Sequence, residues 1–193
     1  MQIIRRLVVS LAALGTLASS SALAAPYEVD GAHSSVLFKV MHFGIAPFHG
    51  RFNKVAGTFE FDGANVAASK LAVDIDANSV FTADKKRDDH LKSPDFFNAK
   101  QFPNIVFKSR AVKAGARAGA FLVEGDLTLR GVTKPVTVEL VKTGEGKDPY
   151  GGYRVGFEGT FTINRHDFGV SFMPDGLGKD VTITVAVQGV KKG

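Results

Sequence analysis

The chain has 193 residues, a formal net charge of +5, 45% hydrophobic residues and no Cys. The missing Cys excludes disulfide staples, thiolate catalysis, Cys metal ligands and acylation at an N-terminal Cys. Lys and Arg are scattered, and the one internal run of three, Lys85-Lys86-Arg87, is followed at once by acids; a nucleic-acid protein concentrates its basic residues on one face.

The N-terminus reads as a secretory signal. Arg5 and Arg6 precede an apolar run from Leu7 to Leu17, and Ala22-Leu23-Ala24 fits a small-x-small cleavage site. The run is too short to span a bilayer. Residues 1–24 are therefore expected to be cleaved in the general secretory route, leaving residues 25–193 as one exported domain in the bacterial periplasm, without a transmembrane anchor.

From Tyr27 onward the chain alternates with period two, the mark of half-buried strands. Val36, Phe38 and Val40 share one face; Val55, Gly57, Phe59 and Phe61 share the next; Leu71, Val73 and Ile75 follow. Beyond residue 104 come Ile105 and Phe107, then Phe121, Val123, Gly125, Leu127 and Leu129, then Val136, Val138 and Leu140. Val155, Phe157, Gly159, Phe161 and Ile163 precede a last set, Val181, Ile183, Val185 and Val187. The expectation is an all-β domain of about eight or nine antiparallel strands: a closed barrel removes sticky edges, a sandwich is the alternative, and alternation alone does not separate the two. Lys113–Gly119, Gly131–Pro135 and Gly144–Gly152 read as connectors.

One segment breaks the alternation, Arg87-Asp88-Asp89-His90-Leu91-Lys92-Ser93-Pro94-Asp95-Phe96-Phe97-Asn98. It predicts a short helical segment near residues 84–99 that closes one mouth of the barrel. Ser93 and Pro94 suit an N-cap and first helical position, which would put Phe96 and Phe97 on the helix.

Sixteen Phe and no Trp make the dry faces large and free of polar atoms. Gly57, Gly125 and Gly159 interrupt those faces, either as bends or as cavity space. An eight-stranded barrel can be filled by side chains or can hold one slim ligand. The candidate lining is Phe38, Val40, Phe59, Leu71, Val73, Phe107, Phe121, Val123, Gly125, Phe157, Gly159 and Phe161.

The chain resembles the YceI-like polyisoprenoid-binding proteins. The resemblance rests on His33-Ser34-Ser35-Val36-x-Phe38-x-Val40-x-His42, Gly50-x-Phe52, Arg87-Asp88-x-His90-Leu91-x-Ser93-x-Asp95-Phe96-Phe97 and Gly125-Asp126-Leu127-Thr128-Leu129-x-Gly131-Val132-Thr133-Lys134-Pro135-Val136. Asp148-Pro149-x-Gly151-Gly152, Gly156-Phe157 and Arg165-x-x-Phe168-Gly169 complete it. It implies a single antiparallel lipocalin-like β-barrel of about eight strands, extended to hold an isoprenoid, an isoprenoid quinone or a similar long-chain amphiphile, with no cofactor.

Arg87, Asp88, His90, Phe96, Phe97 and Arg165 are the candidates for a mouth that recognises a headgroup, because Arg offers a planar fork of donors. The competing reading is a network that ties the helix to the rim, with Arg87 or Arg165 paired to Asp88 or Asp95. His33, His42, His49, His90 and His166 have no metal-ligand spacing, and no nucleophile motif is present. The chain is thus expected to be a lipid carrier without catalysis; a lipid-modifying enzyme and a stress-linked interaction protein with an incidental cavity stay open. So does a homodimer paired through exposed apolar strand faces.

Overall fold

The computed structural model describes residues 24–193; the expected signal sequence lies, but for Ala24, outside them. β1 (Ala25–Val29) and β2 (Ser35–His42) run end to end along one edge of the last strand, β11 (Leu177–Lys191). Tyr27 pairs with Lys191, and Val36 pairs with Val185. β3 (Ala46–Phe52) folds back on β2, and β4 (Val55–Phe61) continues it against β1. β5 (Lys70–Asp76) lies on β4, and the two-residue β6 (Val80–Phe81) lies on β3.

β7 (Asn104–Ala114), β8 (Ala120–Leu129), β9 (Val132–Lys147) and β10 (Tyr153–Asn164) then follow as antiparallel neighbours up to β11. Eleven strands therefore build eight staves, three of them broken, in an up-and-down order that the pairing of β1 with β11 closes. Two of the breaks fall where an Asp side chain offers the backbone a competing partner, and at the third the Asn53 and Lys54 amides turn to the Ser79 carbonyl and hydroxyl. Asp30 accepts from the Ala32 amide at 3.1 Å, and Asp76 accepts from the Asn78 amide at 2.8 Å.

Two connectors shrink relative to expectation. Val132–Pro135 belongs to β9, so the β8–β9 loop is only Arg130-Gly131, both at positive φ (52° and 76°). Two consecutive left-handed residues match the twist of a hairpin, which is why a Gly stands second. Pro135 is tolerated within a strand because β10 pairs with β9 only as far as Gly159 and Leu140; beyond that point β9 needs no donor on that side. Gly144–Lys147 likewise extends β9.

The barrel is sealed at the end where β1 begins and β11 ends. Tyr27 stacks on Phe59 at 4.9 Å between ring centroids, and Phe59, Phe61, Phe121 and Phe157 meet edge to face at 5.1–6.1 Å. Edge-to-face packing satisfies the ring quadrupoles and makes a floor. At the other end the wall splays between β9 and β10, and the segments 82–103 and 165–176 fill the opening.

The helix, α1, spans Lys85–Lys92, upstream of the expected start. Asp84 caps it by accepting from the Arg87 amide at 2.8 Å. Ser93 ends it, its amide donating to the His90 carbonyl. The Ser-Pro pair is a stop because Pro94 disfavours helical geometry in the residue before it. Phe96 and Phe97 therefore sit in the turns after the helix, where Phe96 is buried and Phe97 half-buried.

An apolar cavity with a polar mouth as the candidate functional site

Inward residues of the staves enclose a cavity of about 420 Å³, within the range of about 300–1,000 Å³ typical of ligand pockets. Leu177 and Val187, ten residues apart on β11, both line it. The cavity therefore runs about 30 Å measured along the strand. It is long and slim, and among its lining side chains only His42, Arg87, His90 and Arg165 carry nitrogen or oxygen.

Of the residues expected to line a pocket, Phe38 and Val40 on β2, Leu71 and Val73 on β5, Phe107 on β7, Val123 on β8 and Phe161 on β10 face this cavity. Phe59, Phe121 and Phe157 do not; they form the aromatic floor and line a separate void of about 50 Å³. Gly125 and Gly159 leave no empty space. A Cβ on Gly125 would come 2.5 Å from both the Phe107 ring and the Lys108 carbonyl. A Cβ on Gly159 would meet the Glu139 carbonyl. Gly50, across the β2–β3 ladder from Phe38, gives its space to the Phe38 ring. These glycines let rings lie back against the wall, and the lumen stays open because the rings do not cross it.

The mouth is built by the two inserted segments. Arg87 projects from α1, its guanidinium 4.4 Å from the Phe48 ring centroid, a cation–π geometry. Its Nε donates to Thr82 Oγ1 at 2.9 Å and its Nη2 to the Thr82 carbonyl at 2.8 Å, which leaves Nη1 uncommitted among the described residues on a side chain that lines the cavity. His90 Nε2 lies 2.8 Å from Asp95 Oδ2, and its ring stands edge-on to Phe96 and Phe172. Leu91, Phe96 and Phe97 complete this side of the lining.

Two expected mouth residues have other work. Asp88 is buried beneath α1 and accepts from Thr82 Oγ1 at 2.5 Å, so it fixes the Thr82 hydroxyl that holds Arg87. Arg165 is only 4% exposed. Its five N–H donors go to the carbonyls of Val170, Phe172, Met173, Leu177 and Gly178. Burial pulls its pKa below the usual arginine value. It organises the 165–176 loop and keeps no donor for a ligand. Neither expected pairing with Asp88 or Asp95 forms; carbonyls and Thr82 take the place of carboxylates. Arg130 then clips the two segments together, donating to the Pro94 and Gly169 carbonyls.

Residues that alternation did not single out also line the cavity. Phe48 and Phe52 belong to β3, whose few residues include Pro47 and Gly50 and so carry a weak strand pattern. Phe172 and Met173 lie in a loop without periodicity, and no local signal marks them. Val36, Ile183 and Val185 share faces already read as inward. Among the described residues no group of three His, Asp or Glu side chains could hold a metal ion, and no helix is long and apolar enough to cross a membrane.

The family model described as YceI-like domain matches residues 27–189, nearly all of the barrel. The chain belongs to the YceI-like family. A UPF0312 protein of Pseudomonas savastanoi pv. phaseolicola is 44% identical over 184 residues, covering 93% of this chain and 95% of its own. A UPF0312 protein of Pseudomonas aeruginosa is 40% identical over 176 residues, covering 90% and 91%. Among solved structures, Burkholderia cenocepacia BcnA superposes with a TM-score of 0.75 at 28% identity, over 83% of this chain and 98% of its own. A polyisoprenoid-binding domain from Saccharophagus degradans shares the fold, with a TM-score of 0.69 at 16% identity over 86% and 98% of the two chains. The YceI-like barrel is thus kept at low identity, as expected for a fold specified by inward alternation and closure rather than by individual side chains.

Proposed function

We propose that the protein is a periplasmic carrier of an isoprenoid-type or other long-chain amphiphilic lipid, tail inward and headgroup at the Arg87 mouth. The observation that carries this reading is the cavity's shape: long, slim and apolar, with its few polar groups at one end. A compact ligand would leave most of that length empty. A chain buries roughly 0.8 kcal/mol per methylene, so a few isoprene units offset association costs of about 4 kcal/mol and upward.

The polar end suits an acceptor. The Arg87 fork is oriented by Thr82 and Phe48, so a phosphate or quinone oxygen would meet a donor already in place. The polyisoprenoid-binding description of the Saccharophagus domain, which shares the fold, supports the same ligand class. The reading includes no bond-making step and no cofactor.

The test is organic extraction of protein purified without detergent from its native source, followed by mass spectrometry. A stoichiometric isoprenoid, quinone or other long-chain amphiphile is the expected result. An extract free of such lipid, from protein that also fails to take up polyprenyl phosphate or a quinone in vitro, would overturn it.

A further inference from the structure

Among the described residues seven large hydrophobic side chains are exposed, and six of them lie on or beside the β2–β3 hairpin at the mouth. Leu37 and Met41, 40% and 42% exposed, point outward from β2, alternating with the inward Val36, Phe38 and Val40. Phe43 and Ile45, 56% and 84% exposed, form the β2–β3 tip. Phe81 pairs with Arg51 of β3. Phe172 lies on the 165–176 loop, which the tip grips through the Phe43 amide and the Gly176 carbonyl at 2.7 Å.

Phe172 also lines the cavity, packed on His90 and Phe96, but Leu37, Met41, Phe43, Ile45 and Phe81 take no part in the lining. Phe43 and Gly44, at φ of 50° and 67°, are the left-handed pair of a two-residue hairpin turn closed by the Ile45 amide on the His42 carbonyl at 2.9 Å, with Phe43 and Ile45 exposed at its tip. The charges share the pattern. Ser35–Phe52 carries Lys39, Arg51, His42 and His49 and not one acid, and Lys39 lies beside His49 across the ladder. Within the hairpin the apolar side chains are flanked by Lys39 and Arg51 and by no acid, although Asp175 adjoins it on the 165–176 loop; this pattern suits the boundary of an anionic lipid layer. Another protein could also cover an apolar patch, but a soluble partner does not account for its place at the rim of a lipid-sized cavity.

We propose that the β2–β3 hairpin docks on an anionic bilayer and seats the cavity mouth against the lipids it exchanges. This rests on the carrier reading for its purpose, not for its geometry. The test is co-sedimentation of the purified protein with phosphatidylethanolamine–phosphatidylglycerol vesicles and with phosphatidylcholine vesicles. The protein should partition onto the anionic vesicles, and raised salt should weaken this. Ile45→Asp should lower partitioning at least about tenfold, and Lys39→Glu combined with Arg51→Glu by a similar factor. None of these residues lines the cavity, so both variants should keep the wild-type Tm and lipid content.

Equal partitioning of wild type and Ile45→Asp, or no partitioning of the wild type, would overturn the proposal. So would ultracentrifugation in which Ile45→Asp turns a dimer into a monomer, since the patch would then belong to a second copy. Vesicle binding with an empty cavity would instead sink the carrier reading and leave the docking edge standing.

Discussion

The Phe107 ring occupies the space that a side chain on Gly125 would need, 2.5 Å from where its Cβ would stand. Gly125→Ala should therefore destabilise the fold by about 3 kcal/mol through overpacking, a fall in Tm of roughly 6–12 °C. Adding Phe107→Ala removes the ring but not the Lys108 carbonyl at the same distance. The double variant should recover only part of the loss. Thermal melts of the three proteins check this, and full recovery would show that the ring alone sets the requirement.

Arg165 spans the loop it organises. Arg165→Met leaves five carbonyls of residues 170–178 without their donor, at a cost of about 3–5 kcal/mol. Arg165→Lys should rescue little, because an ammonium cannot reproduce a planar fork. Hydrogen exchange should speed up at the Val170 and Leu177 amides, whose acceptors lie in this loop, while the aromatic floor stays protected.

Acid should loosen the break between β1 and β2. Arg154 and, after it, the His33 ring hold the Asp30 pKa at about 2, below its ordinary 3.8. Arg154 also lowers the Asp148 pKa, with help from the Gly152 amide. A depressed carboxylate contributes stability above its unfolded pKa, lost as pH falls through the folded value. Tm should therefore drop between about pH 4 and 2. Asp30→Asn should melt lower at neutral pH and show a flatter decline over that window; an unchanged slope would remove Asp30 from the account.

Filling the lumen should separate binding from folding. Val73 is buried and faces the cavity, so Val73→Phe places its added volume in space that a lipid would take. Lipid recovered by extraction should fall severalfold while Tm stays level or rises. Unchanged lipid content would move the binding site elsewhere.

Headgroup preference should follow Arg87. Losing a hydrogen bond to a charged group costs roughly 1.5–3 kcal/mol, so Arg87→Ala should weaken polyprenyl phosphate binding about tenfold or more. Polyprenol binding should change by no more than about twofold. Competition binding with the two lipids reads the difference, and equal losses would make Arg87 a strut between α1 and Phe48.

The sequence by itself determined the class of the fold, because period-two alternation can bury only one face of a strand. Val36, Phe38 and Val40 could point inward only together, and the same holds for Val181, Ile183 and Val185. The Arg87–Phe97 segment was legible as an insert for the same reason. Only the tertiary structure decided what the insert and the glycines do. Asp84 outcompetes Ser93 for the cap because Pro94 makes Ser93 a terminator. Gly125 reads as a bend or as cavity space until the register of β7 brings Phe107 over it. Arg165 reads as a headgroup donor until a loop without periodicity wraps five carbonyls around it. Local pattern specifies which side of a strand is dry; whether dry space is filled by a ring, closed as a floor or left open depends on residues far apart in the chain and is settled by packing.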